Sequence, residues 1–273
     1  MLYRRLNAII KPKYRAALKH WRGFEMDNTT RFDGKGEIYA KARPKYAAGL
    51  FEYMRFKLNI PEGSVFADVG SGTGIFAEQL LACGYKVFAV EPNGDMRRIA
   101  EEKLRANKAF SSVNGSDGNM NLPDGSMDCV TAAQAFHWFD PAKFRNECRR
   151  VLRPGGKVMI IYNFRDVKAE CTKALAELHY KYSSEFHGFS NGISDEKCIA
   201  FFDKGCDIYR VANDQTYDRQ GYVDRVRSSS YSLSDSEEAY PQYLDELNGI
   251  FDAYSNNGRI IVPVNTVAYV GTV

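Results

Sequence analysis

The chain has 273 residues, 44% of them hydrophobic and 26% charged, with a formal net charge of +3. That length holds one large α/β domain or two small ones with a full core, and the composition is that of an ordinary soluble globular chain. The near-neutral balance offers no field for nucleic acid, no apolar run approaches the roughly 20 residues that cross a bilayer, and no signal-peptide pattern opens the sequence.

In chain order, residues 1–30 form a basic extension. Arg4, Arg5, Lys11, Lys13, Arg15, Lys19 and Arg22 precede the first acid, Glu25, while Leu2, Leu6, Ile9 and Ile10 share a helical face. Three readings stand: an accessory arm with Met26 as an alternative start, a surface for an acidic partner or a membrane, and a transit-type leader. From Pro44 to Leu58 a helical stripe runs through Tyr46, Leu50, Tyr53 and Met54, and Pro61-Glu62-Gly63 ends it. Val65–Val69 reads as a strand, Ile75–Cys83 as a helix closed by Gly84, and Lys86–Glu91 as a second strand. Asn93 caps a helix to about Asn107, and strands follow at Phe110–Asn114 and Met127–Gln134. Asp140-Pro141 opens a helix ending at Leu152, and Arg153-Pro154-Gly155-Gly156 turns into a fifth strand, Lys157–Asn163.

Alternating units of this kind predict a doubly wound, Rossmann-like, mostly parallel sheet. Beyond Arg165 no Pro/Gly/Ser linker marks a second domain. A helix at Val167–Ser183, an irregular stretch, a strand at Ile208–Ala212, helices from Asp218 and over Glu237–Tyr254, and one strand at Arg259–Val270 complete the reading. Cys83, Cys129, Cys148, Cys171, Cys198 and Cys206 form no CxxC pair, which suits a reducing, cytoplasmic setting and gives no metal site.

The stretch FADVGSGTGIFAEQL, residues 66–80, places Gly70, Gly72 and Gly74 between a strand and a helix. Glycine weakens regular structure, so a ligand that needs bare backbone is the reason to place three there. Glu91, at the end of the next strand, can accept both hydroxyls of a ribose. Gly72-x-Gly74-x-x-Ala77 also satisfies a relaxed nicotinamide fingerprint, but Asp68 would repel a pyrophosphate and suits a ligand with a positive amino group. His137 follows the fourth strand at the site edge and is the candidate general base, with a packed structural histidine as the alternative.

Here the sequence resembles the class I S-adenosylmethionine-dependent methyltransferases of the methyltransferase type 11 kind. The glycine loop, VFAVEPNGDMRRIAE, NLPDGSMDCVTAAQAFHWFD and ECRRVLRPGGKVMII follow that family's motifs in order over residues 31–163. FDGKGEIYAKARPKY, RSSSYS and NTVAYVG are similar to the trans-aconitate methyltransferase-like branch. The resemblance implies a single domain over 31–273, made of a cofactor core (31–163), an acceptor-side elaboration with helices over the site (164–256) and a closing antiparallel strand (257–273). It implies S-adenosylmethionine as cofactor, with Asp68, Gly70 and Gly72 at its methionine end, Ser116, Asp117, Pro92 and Asn93 near the adenine, Gln134 back at the methionine end, and Tyr39 and Arg43 closing over it. Gly118 stands where the family commonly has an acid.

The expected reaction is in-line methyl transfer to a small-molecule hydroxyl, thiol or carboxylate by a monomer or homodimer, with no nucleic-acid or integral-membrane partner. A carboxylate acceptor wants a cation, for which Arg165, Arg225 and Arg227 are candidates. The alternatives are a nonenzymatic S-adenosylmethionine-binding regulator and a nicotinamide oxidoreductase.

Overall fold

The computed structural model describes residues 43–229 and 231–273, so the basic arm and Tyr39 lie outside the described residues. Four parallel strands form as the apolar runs predict: β1 (Val65–Val69), β2 (Lys86–Val90), β3 (Phe110–Val113) and β4 (Met127–Ala133). β1 is bonded to β2 on one side and to β4 on the other. The strand order therefore reverses at β1, and such a reversal opens a crevice at the carboxyl ends of β1 and β4.

The helices pack on this sheet. α1 (Ala48–Glu52) runs on into a π-turn over Tyr53–Lys57, and α2 (Ile75–Ala82) starts at Gly74, whose φ of 79° is left-handed. α3 (Gly94–Leu104) is capped by Asn93, whose side chain accepts the Met96 N–H, and α4 (Pro141–Val151) by Asp140, which accepts from Ala142 and Lys143. Leu50, Met54, Phe66, Leu80, Val87, Met159 and Ile161 belong to the core between α1, α2 and the sheet.

The fifth strand departs from expectation at its start. β5 (Leu152–Arg165) begins five residues early, because Leu152 pairs with Met127 and Lys157 with Cys129. Residues 153–156, expected as a turn, bulge opposite Asp128, and Arg153 donates to the Asp128 carboxylate at 2.6 Å.

Beyond β5 the chain forms α5 (Glu170–Tyr182), α6 (Asp195–Ala200), β6 (Asp207–Ala212), β7 (Gln215–Tyr217), α7 (Arg219–Arg227), α8 (Tyr240–Tyr254), β8 (Ile260–Val262) and β9 (Val264–Gly271). The seven-stranded sheet has the order β3-β2-β1-β4-β5-β9-β6, with β9 antiparallel to both its neighbours. Two elements were missed: α6, read as irregular although Ser194 caps it, and β7. The single closing strand is two strands. Pro263 has no N–H to give a ladder, so β8 pairs with β7 in a separate ribbon while β9 inserts between β5 and β6. α5, α7, α8 and β8 share a second apolar cluster that includes Leu175, Tyr222, Val226, Tyr243 and Phe251. Among the described residues no helix is long and apolar enough to cross a membrane.

Candidate functional site

The loop after β1 is held from below. The N–H groups of Gly70 and Ser71 both donate to the Val90 carbonyl, at 2.8 and 3.2 Å, and the Gly72 N–H donates to Glu91 Oε2 at 2.9 Å. Glu91 Oε1 accepts the Asn93 N–H at 2.9 Å. One carboxylate thus ties the glycine loop to the start of α3, and each of its oxygens keeps a lone pair for a further donor. Burial raises the Glu91 pKa, and the bonds from Asn93 and Gly72 work against that rise.

Asp68 is 1% exposed. Its Oδ1 accepts the Thr131 hydroxyl of β4 at 2.9 Å, while Oδ2 is buried without a partner. Burial pushes its pKa up to about 7; the Thr131 bond opposes this and the nearby Glu91 charge adds to it. Ser71 Oγ, Thr73 Oγ1 and Gln134 Oε1 are also buried without partners. Buried polar atoms are normally satisfied, so a set of orphans at the carboxyl ends of β1 and β4 marks a surface shaped for polar groups that are not part of the chain. Gln134, expected to act through its backbone, holds a left-handed φ of 56° and donates its N–H to Ile161.

On the other flank, Arg97 Nη1 bonds the carbonyls of Glu91 and Pro92 and the Asn114 side chain, which fixes the end of β2. Half-buried Ser116 closes a tight bridge with Asn119, and Asp117 Oδ2 accepts the Asp140 N–H at 2.9 Å. Asp117 therefore joins the β3 loop to the cap of α4, and burial raises its pKa. Gly118 packs a would-be Cβ at 3.3 Å from the Lys143 side chain.

His137 does not suit the role of general base. Its backbone N–H donates to Tyr162 Oη at 2.9 Å, and its Nδ1 lies 3.0 Å from the same oxygen. That oxygen already accepts one proton, so its own hydroxyl is best satisfied by donating to Nδ1, which leaves the remaining proton on Nε2. Desolvation, then the charges of Arg43 and Lys197, holds the imidazole down to about 3. A neutral ring with Nδ1 occupied is a donor at Nε2 and a weak base. The His137 ring resonances followed by NMR should accordingly stay fixed between pH 5 and 8; a midpoint near 6.5 would restore the base.

Arg43 lies on a strap laid across the ends of β5 and β9. Gln79 exchanges two bonds of 2.9 Å with the Tyr46 backbone, and Thr266 accepts the Ala47 N–H at 3.1 Å while donating to Asn163. Arg43 Nη2 donates to the Ser228 carbonyl at 3.2 Å, so the YAKAR and RSSSYS segments meet. Arg227 turns away, to Asp235 at 3.9 Å and over the Tyr240 ring. A cleft of about 410 Å³ lined by residues such as Ile60, Asp128 and Gly155 lies at the opposite, amino ends of the strands and shares none of these groups.

Residues 67–160 match the family model of a methyltransferase domain. Over 245 residues the chain is 26% identical to an uncharacterized methyltransferase of Mycobacterium tuberculosis, covering 88% of this chain and 95% of that one. It is 30% identical over 155 residues to an uncharacterized methyltransferase-like protein of Schizosaccharomyces pombe, covering 55% and 58%. In structure it is similar to a type II methyltransferase of Anaeromyxobacter dehalogenans, with a TM-score of 0.62 at 21% identity over 84% of this chain and 97% of that one. An S-adenosylmethionine-dependent methyltransferase of Geobacter sulfurreducens, solved with S-adenosyl-L-homocysteine, gives 0.50 at 15% identity over 86% and 96%. The structural likenesses bear on the fold, which is the Rossmann-like one expected, and the similarity to the methyltransferase domain model covers residues 67–160.

Proposed function

We propose that this methyltransferase domain carries a methyl group from S-adenosylmethionine to a small-molecule acceptor. The observation that carries the reading is the buried carboxylate oxygen of Asp68 left without a partner beside Glu91, at the strand-order reversal where an open α/β sheet takes its ligand. Asp68 and Gln134 offer acceptors to an ammonium, Glu91 offers two to vicinal hydroxyls, and the bare backbone at Gly72 leaves room for a ligand. Pro92, Asn93, Ser116 and Asp117 line the flank where a base would lie. That the Geobacter protein was solved with the product form of this cofactor supports the choice.

When bound, the cofactor supplies a sulfonium methyl that is already electrophilic: the acceptor's lone pair forms the new bond as the carbon–sulfur bond breaks, leaving a neutral thioether. The protein's part is to hold the acceptor in line and exclude water, converting lost freedom into rate. With Nδ1 of His137 engaged, the site suits acceptors that arrive with a free lone pair. Arg43 and Ser228, joined by their hydrogen bond, support one wall built from the strap and the elaboration, which favours reading the described residues as one domain.

Glu91→Ala should bind S-adenosylhomocysteine roughly ten- to hundredfold more weakly by calorimetry, from the loss of charge-assisted bonds of about 1.5–3 kcal/mol. Affinity within twofold of the parent in a folded variant would remove Glu91 from the site. Methyl transfer from labelled cofactor to a metabolite panel tests the acceptor class, and labelling of protein or RNA alone would overturn it.

A further inference from the structure

Arg225 lies in α7 with only 8% of its surface exposed. Among the described residues no carboxylate pairs with it, and its side chain reaches only Ser228 Oγ, at 3.4 Å. A buried cation is costly unless it is paired, so an arginine in this position calls for an anion. Arg165, at the end of β5, is half-buried and likewise forms no ion pair among the described residues. Its guanidinium lies over the Phe189 ring, 4.8 Å from the centroid. A stacked guanidinium has its plane fixed and its edge of N–H donors free for a planar oxyanion.

The surroundings are polar and unsatisfied. Tyr222 Oη and His179 Nδ1 are both buried without partners. Tyr222 feels the Arg165 charge, and His179, desolvated first of all, feels Arg165 and Arg225. Arg225 is itself pulled down to about 9, by desolvation and then by Arg165 and Arg43, and so remains a cation at pH 7. Arg43 also acts on His137, which brings this cluster into electrostatic range of the strand end of β4. Arg165 and Arg225 thus act on one another electrostatically, and among the described residues no ion pair balances either of them.

We propose that Arg165 and Arg225 seat an oxyanion, a carboxylate or a phosphate, carried by the methyl acceptor. The word acceptor rests on the function proposed above; the anion site stands on these residues alone. The same chemistry has one other source, the carboxylate of the methyl donor, and the experiment separates the two.

The full chain, saturated with S-adenosylhomocysteine at ionic strength matched with chloride, is melted with citrate, succinate, benzoate, inorganic phosphate and the corresponding neutral amides. At ten times its Kd, at least one oxyanion should raise Tm by about 3–5 °C while its amide does not. Arg165→Gln and Arg225→Met should abolish the shift, and Arg225→Lys should keep part of it. Arg165 is half-buried, so its variant reports even where Arg225→Met fails to fold. S-adenosylhomocysteine affinity in Arg165→Gln should stay within twofold of the parent. No oxyanion effect beyond chloride, or a shift that survives both substitutions, overturns the site. A tenfold loss of S-adenosylhomocysteine affinity in Arg165→Gln assigns the arginines to the donor's carboxylate and overturns the acceptor assignment. Failure of the parent to bind S-adenosylhomocysteine at all sinks the proposed function and leaves the oxyanion arm to decide the anion site.

Discussion

Gly70→Ala should lose several degrees more Tm than Gly72→Ala and bind S-adenosylhomocysteine at least about a hundredfold more weakly than the parent, whereas Gly72→Ala should lose binding with only the smaller Tm loss of its left-handed backbone. The two glycines sit two residues apart and both hold left-handed φ values, 66° and 55°. Their surroundings differ. A Cβ at position 70 would stand 2.6 Å from the Cβ of Ala135 and 3.2 Å from the Phe139 ring, so the loop must move off β4 to admit it. The left-handed backbone costs about 1–2 kcal/mol and the overlap about 1–3 kcal/mol more. Movement there also disturbs the bonds from Gly70 and Ser71 to Val90, and with them the placement of Gly72 against Glu91. At position 72 an added Cβ meets no atom of the chain within 4 Å, leaving only the backbone cost. That open face is where a ligand can touch backbone. Melting curves and calorimetry on the two variants separate packing from recognition, and undiminished binding by Gly72→Ala would show that the ligand does not approach the loop there.

The contrast between these glycines marks how far the sequence could be read. Three glycines between an apolar run and a helical pattern require a special backbone, and that much is local. Which of them faces the chain and which faces open space depends on Ala135 and Phe139, more than 60 positions away, and no spacing rule carries that information. The partners of Asp68 follow the same division. The acid is visible beside the glycines, but Thr131 meets it only because β1 and β4 pair with Asp68 opposite Thr131. His137 was placed correctly at a strand end, yet its role turns on Tyr162, a β5 residue 25 positions on. The parallel core was legible because β1, β2 and β4 are short apolar runs separated by capped helices. The later part was less so: β7 and β8 are three-residue strands whose pairing is set across the fold, and the break at Pro263 is read only when the ladder partners of β9 are known. Arg165, Arg225 and Arg227 looked equivalent as residues, and only the fold separates the two that form no ion pair among the described residues from Arg227, which meets Asp235.

Asp68 should make the ligand-free protein less stable as pH rises and make cofactor binding tighter. Its carboxyl would titrate near 3.8 in the open chain and is raised to about 7 in the fold, chiefly by burial. Between those two values the folded chain holds a proton that the unfolded chain has released. Stability is then greatest below about pH 4 as far as this group is concerned and falls by up to about 1.4 kcal/mol per pH unit until pH 7, where the loss is complete. Asp68→Asn removes the titration, so the difference in unfolding free energy between parent and variant should shift in favour of the variant from pH 5 to pH 7.5. Binding has the opposite sign. A ligand ammonium beside Oδ2 favours the ionised carboxylate, so at pH 6 binding should expel the proton and affinity should rise by up to about tenfold per unit toward pH 7. Calorimetry of S-adenosylhomocysteine at pH 6 in two buffers of different ionisation enthalpy reads this directly, with close to one proton released for the parent and close to none for Asp68→Asn. Because Glu91 contributes to the raised value, Glu91→Gln should lower the pH at which the release is half complete. An affinity that is flat from pH 5 to 7.5, with no buffer dependence, would mean that Asp68 does not meet the cationic end of the ligand.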